Sequence, residues 1–326
     1  MKERDIIFAL KSGLKKSSFQ INEFNQTDAE IININGTIIA VNMDDFSSED
    51  HFPVLNPKDL GRNLITAAMS DLLAVGALPK FITHSFVSTD IMSEIFLKDL
   101  SVGIQKSLDA FGCYCIGGDV GYGKDWRYTC TAIGILDDIN KLMTRVIPYK
   151  EGFVGITGTI GDVNASFFYE KPEVLLECRI KETEILKKYV PACIDTSDGL
   201  INAIETLSSI NKNTEIVIDL DAIPYDKKVL EISNRKNILK EAFLFGSAGE
   251  YELLFFVPYD FEDEFKKGTF KKIGCFRKSA DGNILYKKRN RDNLIMHESV
   301  LTDPREVKDI KLYIKDIITL TEKLFL

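Results

Sequence analysis

Asn35-Gly36 stands between two β-branched runs, Ile31-Ile32-Asn33-Ile34 and Thr37-Ile38-Ile39-Ala40-Val41. A tight two-residue turn needs left-handed backbone at both central positions, which Asn-Gly supplies, so this pattern is a strong hairpin signal. Asp28 then lies before one strand and Asp44 at the end of the next. Downstream, periodicity switches repeatedly between helix and strand. The spacing predicts a helix over 57–76 with an apolar stripe through Leu60, Leu64, Ala67, Ala68, Leu72 and Leu73, and Asp71 inside it. It predicts a strand over 81–89, a helix over 92–111, a short strand over 113–116 entering a Gly117-Gly118-Asp119 turn, and a strand over 128–136. Such alternation indicates an α/β domain.

The polar stretch Asp137-Asp138-Ile139-Asn140-Lys141 reads as a linker, and 326 residues exceed one typical core, so two domains are expected, 1–138 and 139–326. The second unit shows strands at 152–157, 215–220 and 253–257. Helices are expected over 173–189, from 227 and over 307–326, with another short amphipathic helix in the first fifteen residues. Thr157-Gly158-Thr159-Ile160-Gly161-Asp162 is a strand-to-turn junction whose backbone amides could approach a phosphate.

Composition excludes several classes. A net charge of −8 argues against a nucleic-acid or membrane-surface binder. No secretory segment is evident and no apolar run reaches spanning length, so the chain reads as cytoplasmic, with no membrane partner. Six cysteines contain no CxxC pair and read as buried thiols, and three well-separated histidines disfavour a histidine-based triad or metal site. Any chemistry falls to the acids.

Asp195-Thr196-Ser197-Asp198-Gly199-Leu200 places two carboxylates and two hydroxyls before a glycine turn. Oxygen donors of this kind suit Mg²⁺ bridging carboxylates to substrate phosphates. The same residues could equally form an Asx turn and an N-cap opening the amphipathic stretch that follows. Asp28, Asp44, Asp119, Asp195 and Asp198 sit at strand ends or beside glycine turns, while Asp71 is placed mid-helix. Carboxylates gathered in one place raise one another's pKa unless cations neutralise them.

The ordered set Thr27-Asp28-Ala29, Asp44 with His51-Phe52-Pro53, Leu60-Gly61-Arg62, Ser70-Asp71-Leu72-Leu73-Ala74-Val75-Gly76-Ala77-Leu78-Pro79, Gly117-Gly118-Asp119, Thr157–Asp162, Asp195–Leu200 and Gly249-Glu250-Tyr251-Glu252-Leu253-Leu254-Phe255 resembles the thiamine-monophosphate kinase family over about residues 20–257. Several of these motifs are shared by the wider aminoimidazole ribonucleotide synthetase-like superfamily. The resemblance implies a two-domain α/β fold. Its N-terminal sheet would close into a barrel with a second subunit, giving a homodimer, ahead of a C-terminal α/β domain. It also implies ATP in a cleft at the domain junction, with Mg²⁺ held by Asp28, Asp44, Asp71, Asp195 and Asp198. Asp195 and Asp198 would serve catalysis directly. Gly117, Gly118, Asp119 and Ser197 would contact the nucleotide and His51 a small phosphorylated acceptor. The implied reaction moves the γ-phosphoryl group of ATP to thiamine monophosphate.

Gln26-Thr27-Asp28 stands where these kinases usually read Gly-Asp-Asp, so one acid is lost, and Gly249 and Glu250 stand where they usually carry Glu and Asp. An ATP-dependent ligase or cyclase like aminoimidazole ribonucleotide synthetase, and a non-catalytic nucleotide-binding homologue, are the competing readings. Selenophosphate synthetase and the hydrogenase-maturation dehydratase are disfavoured by the absence of a cysteine in the first hundred residues and of a terminal cysteine.

Overall fold

A computed structural model describes residues 6, 9–10, 12–47, 56–90, 92–169, 173–246, 248–280, 282–288, 294–295, 307 and 309–325. The expected N-terminal helix falls largely outside this set, and His51 lies outside it entirely. The hairpin forms as the sequence dictates: β1 (Glu30–Ile34) pairs antiparallel with β2 (Thr37–Ser47) around Asn35 and Gly36, whose φ values of 53° and 91° are left-handed. Helix α1 (Pro57–Ala74), strand β3 (Leu78–Ser88), helix α2 (Glu94–Phe111), strand β4 (Tyr114–Tyr122) and strand β5 (Arg127–Leu136) complete a five-stranded sheet of order β1-β2-β5-β3-β4. Only β3 and β4 run parallel, joined through α2.

The second sheet uses β6 (Glu151–Ile156), β7 (Ala192–Asp195), β8 (Thr214–Asp219), β9 (Leu253–Val257), β10 (Lys271–Lys278), β11 (Ile284–Lys287) and β12 (Leu294–Ile295), in the order β12-β11-β8-β10-β6-β9-β7. Its helices are α3 (Asp162–Ser166), α4 (Ile180–Leu186), α5 (Leu200–Ile210), α6 (Lys227–Lys236), α7 (Glu262–Lys266) and α8 (Ile310–Phe325). An apolar core including Ile201, Ile204, Leu207, Ile216, Ile218, Leu254 and Phe256 fills the space between this sheet and its helices.

Helix α1 joins the two halves. Asn56 caps it, its side chain accepting from the Asp59 amide at 2.9 Å, and Pro57 follows where the missing N–H costs nothing. The sequence suggests a one-sided stripe, yet nearly every residue from Asn63 to Ala74 is buried. The reason is that α1 packs on the first sheet, on α2 and on β7 and α4 of the second unit. A helix covered all round must satisfy its polar groups internally. Asn63, for example, donates to the Val174 carbonyl at 2.8 Å and accepts from the Leu176 amide at 3.0 Å.

That contact explains a difference from the sequence reading. Glu173–Arg179, expected to be helical, is irregular, with Val174 and Leu176 buried against the first core, and of the expected helix only Ile180–Leu186 forms. Gly117-Gly118-Asp119 also differs: it is no turn but the middle of β4, because the strand continues pairing with β3 as far as Tyr122. β4 is the edge of the sheet and is exposed along nearly its whole length. Among the described residues the five-stranded sheet stays open, and no helix is long and apolar enough to cross a membrane.

Candidate active site

Each acid of the candidate site is delivered by a different element. Asp28 precedes β1 on a loop organised by the buried Asn22. The Asn22 side chain accepts from the Ile31 amide at 2.9 Å and donates to Thr27 Oγ1 at 2.9 Å. Gln26 also serves structure: its carbonyl accepts from the Arg145 amide at 2.7 Å and its side chain accepts from the Glu23 amide at 2.7 Å. Both residues that depart from the kinase motif therefore build the loop that presents Asp28. Asp71 projects from the last turns of α1, and Asp195 ends β7.

These three carboxylates converge, with one oxygen of each lying within 4.8 Å of the others. Arg145, in the segment leading to β6, donates from Nε to Asp28 Oδ1 at 2.9 Å and also from its terminal nitrogen. The other oxygen, Asp28 Oδ2, is buried and has no protein hydrogen-bond partner. Burial pushes the Asp28 carboxyl up to about 7 against the pull of Arg145, and Asp195 adds to the rise. Asp71 is raised well above the usual range by burial and then by the charges of Asp195, Asp44 and Asp28. Burial also raises Asp195, while the hydroxyls of Ser70 and Ser197 oppose it. Three carboxylates this close, facing one arginine, lack the positive charge needed to ionise together. The donor set is all oxygen, and its unpartnered Oδ2 points to a hard divalent cation such as Mg²⁺.

Asp44 lies on β2 opposite Cys130, its Oδ2 accepting from the Asn42 side chain at 2.7 Å. It is near enough to act on Asp71 but stands outside the closest trio. Ser197 Oγ donates to Asp195 Oδ1 at 2.9 Å, so an Asx-type turn does form. No side chain caps α5, however, because its N-cap is Gly199. Asp198 is exposed at the rim of a cleft of ≈ 510 Å³ that runs past Arg145, Asp195 and Ser197 to Asn202 and Thr206. A cleft of that size suits a small ligand, and α5 lines it along one side, from Asn202 to Ile210.

The other expected positions stand elsewhere. Asp119 is exposed on β4, in the row Asp45–Thr129–Ser85–Asp119, one residue out of step with Asp44–Cys130–His84–Gly118. Alternation along strands therefore turns Asp119 to the sheet face opposite Asp44. The Gly161 amide, a candidate phosphate donor, instead donates to Glu250 Oε1 at 2.8 Å. Glu250 is buried, and burial lifts its carboxyl to about 8. Arg145 was not foreseen, since a single arginine in Thr144-Arg145-Val146 carries no spacing signal. Its role emerges only when Asp28, 117 residues away in sequence, folds onto it.

Comparisons with known proteins find relatives over most of the chain. Residues 26–136 match the family described as AIR synthase related protein, N-terminal domain. The thiamine-monophosphate kinase of Methanocaldococcus jannaschii is 29% identical over 288 residues, covering 78% of this chain and 86% of that protein. In fold, the chain resembles AaThiL complexed with AMPPCP and TMP, with a TM-score of 0.74 and 18% identity across 90% of this chain and 97% of that one. Thiamine monophosphate kinase from Aquifex aeolicus superposes with a TM-score of 0.70 and 18% identity, over 89% of this chain and 100% of that one. Residues 26–136 thus carry an AIR synthase related N-terminal domain, and over most of its length the chain is similar in sequence to thiamine-monophosphate kinases and shares their fold.

Proposed function

We propose that the chain transfers the γ-phosphoryl group of ATP to the phosphate of thiamine monophosphate, with Mg²⁺, releasing ADP and thiamine diphosphate. An acceptor phosphate oxygen bonds to the γ-phosphorus as the bond to the bridging oxygen of ATP breaks. The observation that carries the reading is the close trio Asp28, Asp71 and Asp195 beside an open cleft, drawn from both halves of the molecule. Asp28, Asp71 and Asp195, with Asp44 and Asp198 at the margin, would hold Mg²⁺. When bound, the ion supplies charge neutralisation between two anionic reactants.

The chain's own residues do the positioning. Arg145, held by Asp28 and 19% exposed in its side chain, offers a planar guanidinium to phosphate oxygens at the cleft wall. Ser197 orients Asp195 through its hydroxyl. An acceptor phosphate is already an ionised nucleophile, so no general base is required, which agrees with a site built without histidine among its described residues.

Residues 1–138 would form the nucleotide-binding and dimerising domain and 139–326 the C-terminal domain. A homodimer is supported by β4, an exposed edge strand carrying Tyr114, Ile116, Val120 and Tyr122, all well over half exposed. Gly117, Gly118 and Asp119 on that strand are assigned to the nucleotide, and His51 to the acceptor, on family resemblance alone. The six thiols are free, which accords with a cytoplasmic setting, but Cys115 and Cys275 are exposed rather than buried as the sequence suggests. The test is ADP formation from ATP and Mg²⁺ across a panel of small phosphorylated acceptors. Thiamine monophosphate is expected to stimulate it most, and a folded, ATP-binding protein indifferent to that acceptor would remove the assignment.

A further inference from the structure

Beneath the Asp195–Gly199 loop lies a buried polar network. Thr196 donates its amide to the Glu252 carbonyl at 2.8 Å, and its Oγ1 accepts from the Glu252 amide at 2.9 Å. Thr157 makes the same kind of exchange one strand away: its Oγ1 accepts from the Leu253 amide at 2.8 Å and donates to Glu252 Oε2 at 2.5 Å. Arg179 closes the set. Its Nε donates to Glu252 Oε2 at 2.6 Å, and its terminal nitrogen pairs with Oε1. Thr157 and Thr196 are fully buried, and the Glu252 and Arg179 side chains are only 6% and 12% exposed.

The network is tied to both acid-bearing elements. On one side, Gly249 presses directly on the loop. Its amide donates to the Ser197 carbonyl at 3.1 Å, and a Cβ there would stand 1.6 Å from the Thr196 carbonyl oxygen. On the other side, Arg179 begins the turn from which Thr183 Oγ1 donates to the Leu73 carbonyl at 3.3 Å, two residues beyond Asp71 on α1. The segment before Arg179 is bonded to Asn63 on the same helix. Tyr251, between Gly249 and Glu252, has left-handed backbone with φ 58°, unusual for an aromatic residue, and its ring packs on the core of the first domain. Local strain retained beside a site is a mark of imposed geometry.

We infer that Thr196, Glu252, Arg179 and Thr157 are positioning residues that hold the Asp195 loop at the spacing from Asp71 which a divalent cation requires. None touches the cluster, so their effect runs through the backbone of the loop and of α1. Groups behind metal ligands commonly control affinity in this way. The inference rests on the proposed cation site.

The test follows Mn²⁺ binding to the full chain by electron paramagnetic resonance, without nucleotide, alongside circular dichroism and thermal melts. Thr196→Val and Glu252→Gln are expected to weaken Mn²⁺ binding by about tenfold or more while the fold persists, and Thr196→Ser, which restores the hydroxyl, to bind nearly as the unchanged protein does. Folded Thr196→Val and Glu252→Gln proteins that lose thermal stability but keep the original Mn²⁺ affinity would overturn the inference and leave the network a purely structural one. Should Glu252→Gln fail to fold, the Thr196 pair decides alone. An unchanged protein that binds no Mn²⁺ would overturn the cation site itself, and the inference with it.

Discussion

Asp71 concentrates the conflict between stability and function. It is half-buried on a helix otherwise covered on nearly all sides, where Asp195, Asp44 and Asp28 oppose its charge. Asp71→Asn removes that repulsion at nearly constant shape. The metal-free variant is expected to be more stable than its parent by about 0.5–2 kcal/mol in denaturant titrations, while phosphoryl transfer falls at least about a hundredfold. A loss of both together would mean that the residue is structural.

The same burial gives a pH signature. Asp28 rises from 3.8 to about 7 on folding, and Glu250 from 4.5 to about 8. Above its ordinary pKa the unfolded chain has released a proton that the folded chain still holds. The stability from that proton is complete below the unfolded value and is lost as pH climbs through the folded one. In chelator, the unfolding free energy is expected to fall between about pH 5 and about pH 8 by up to about 1.4 kcal/mol per pH unit for each such group, seen as a falling melting temperature, with Mg²⁺ reducing the fall. A melting temperature that climbs over this interval would contradict the assigned burial.

Elements deliver these residues, and their crossings are tight. α1 and α2 touch backbone to backbone: a Cβ on Gly103 would lie 1.9 Å from the Lys58 carbonyl oxygen. Gly103→Ala is expected to destabilise the protein by about 1–3 kcal/mol in urea unfolding, through displacement of the helix that carries Asp71. The hairpin at Asn35-Gly36, α1, α2 and most strands of the first sheet were legible because their local signals agree with the packing. The non-helical course of Glu173–Arg179 was not, since it depends on Asn63, over a hundred residues earlier. β4 passed unrecognised as a strand through Gly117-Gly118 because glycines there read as a turn, while β3 alone supplies the pairing. At the site, the acids were legible as motifs. Arg145 and the Glu252 network were not, as each acquires meaning only through a partner distant in sequence.

At the scale of the molecule, β4 ends the first sheet. It exposes Tyr122 to 84% and Tyr114 to 69%, and among the described residues nothing pairs with its outer side. Two copies pairing through this region would cover those side chains and remove the edge. Sedimentation is expected to show a dimer at micromolar concentration, and Val120→Lys to shift it toward monomer without loss of secondary structure. A monomeric unchanged protein would contradict the dimer.

The central claim joins both domains in one reaction: acids from the first and second sheets act together on ATP and a phosphorylated acceptor. The measurement that reaches it most directly follows ADP and phosphorus resonances together in a mixture of protein, Mg²⁺, ATP and thiamine monophosphate. The account predicts ADP and a new diphosphate ester appearing in equal amounts, dependent on the acceptor and abolished by Asp71→Asn and by Asp195→Asn. ADP formed without the ester, or an equal yield from both variants, would contradict it.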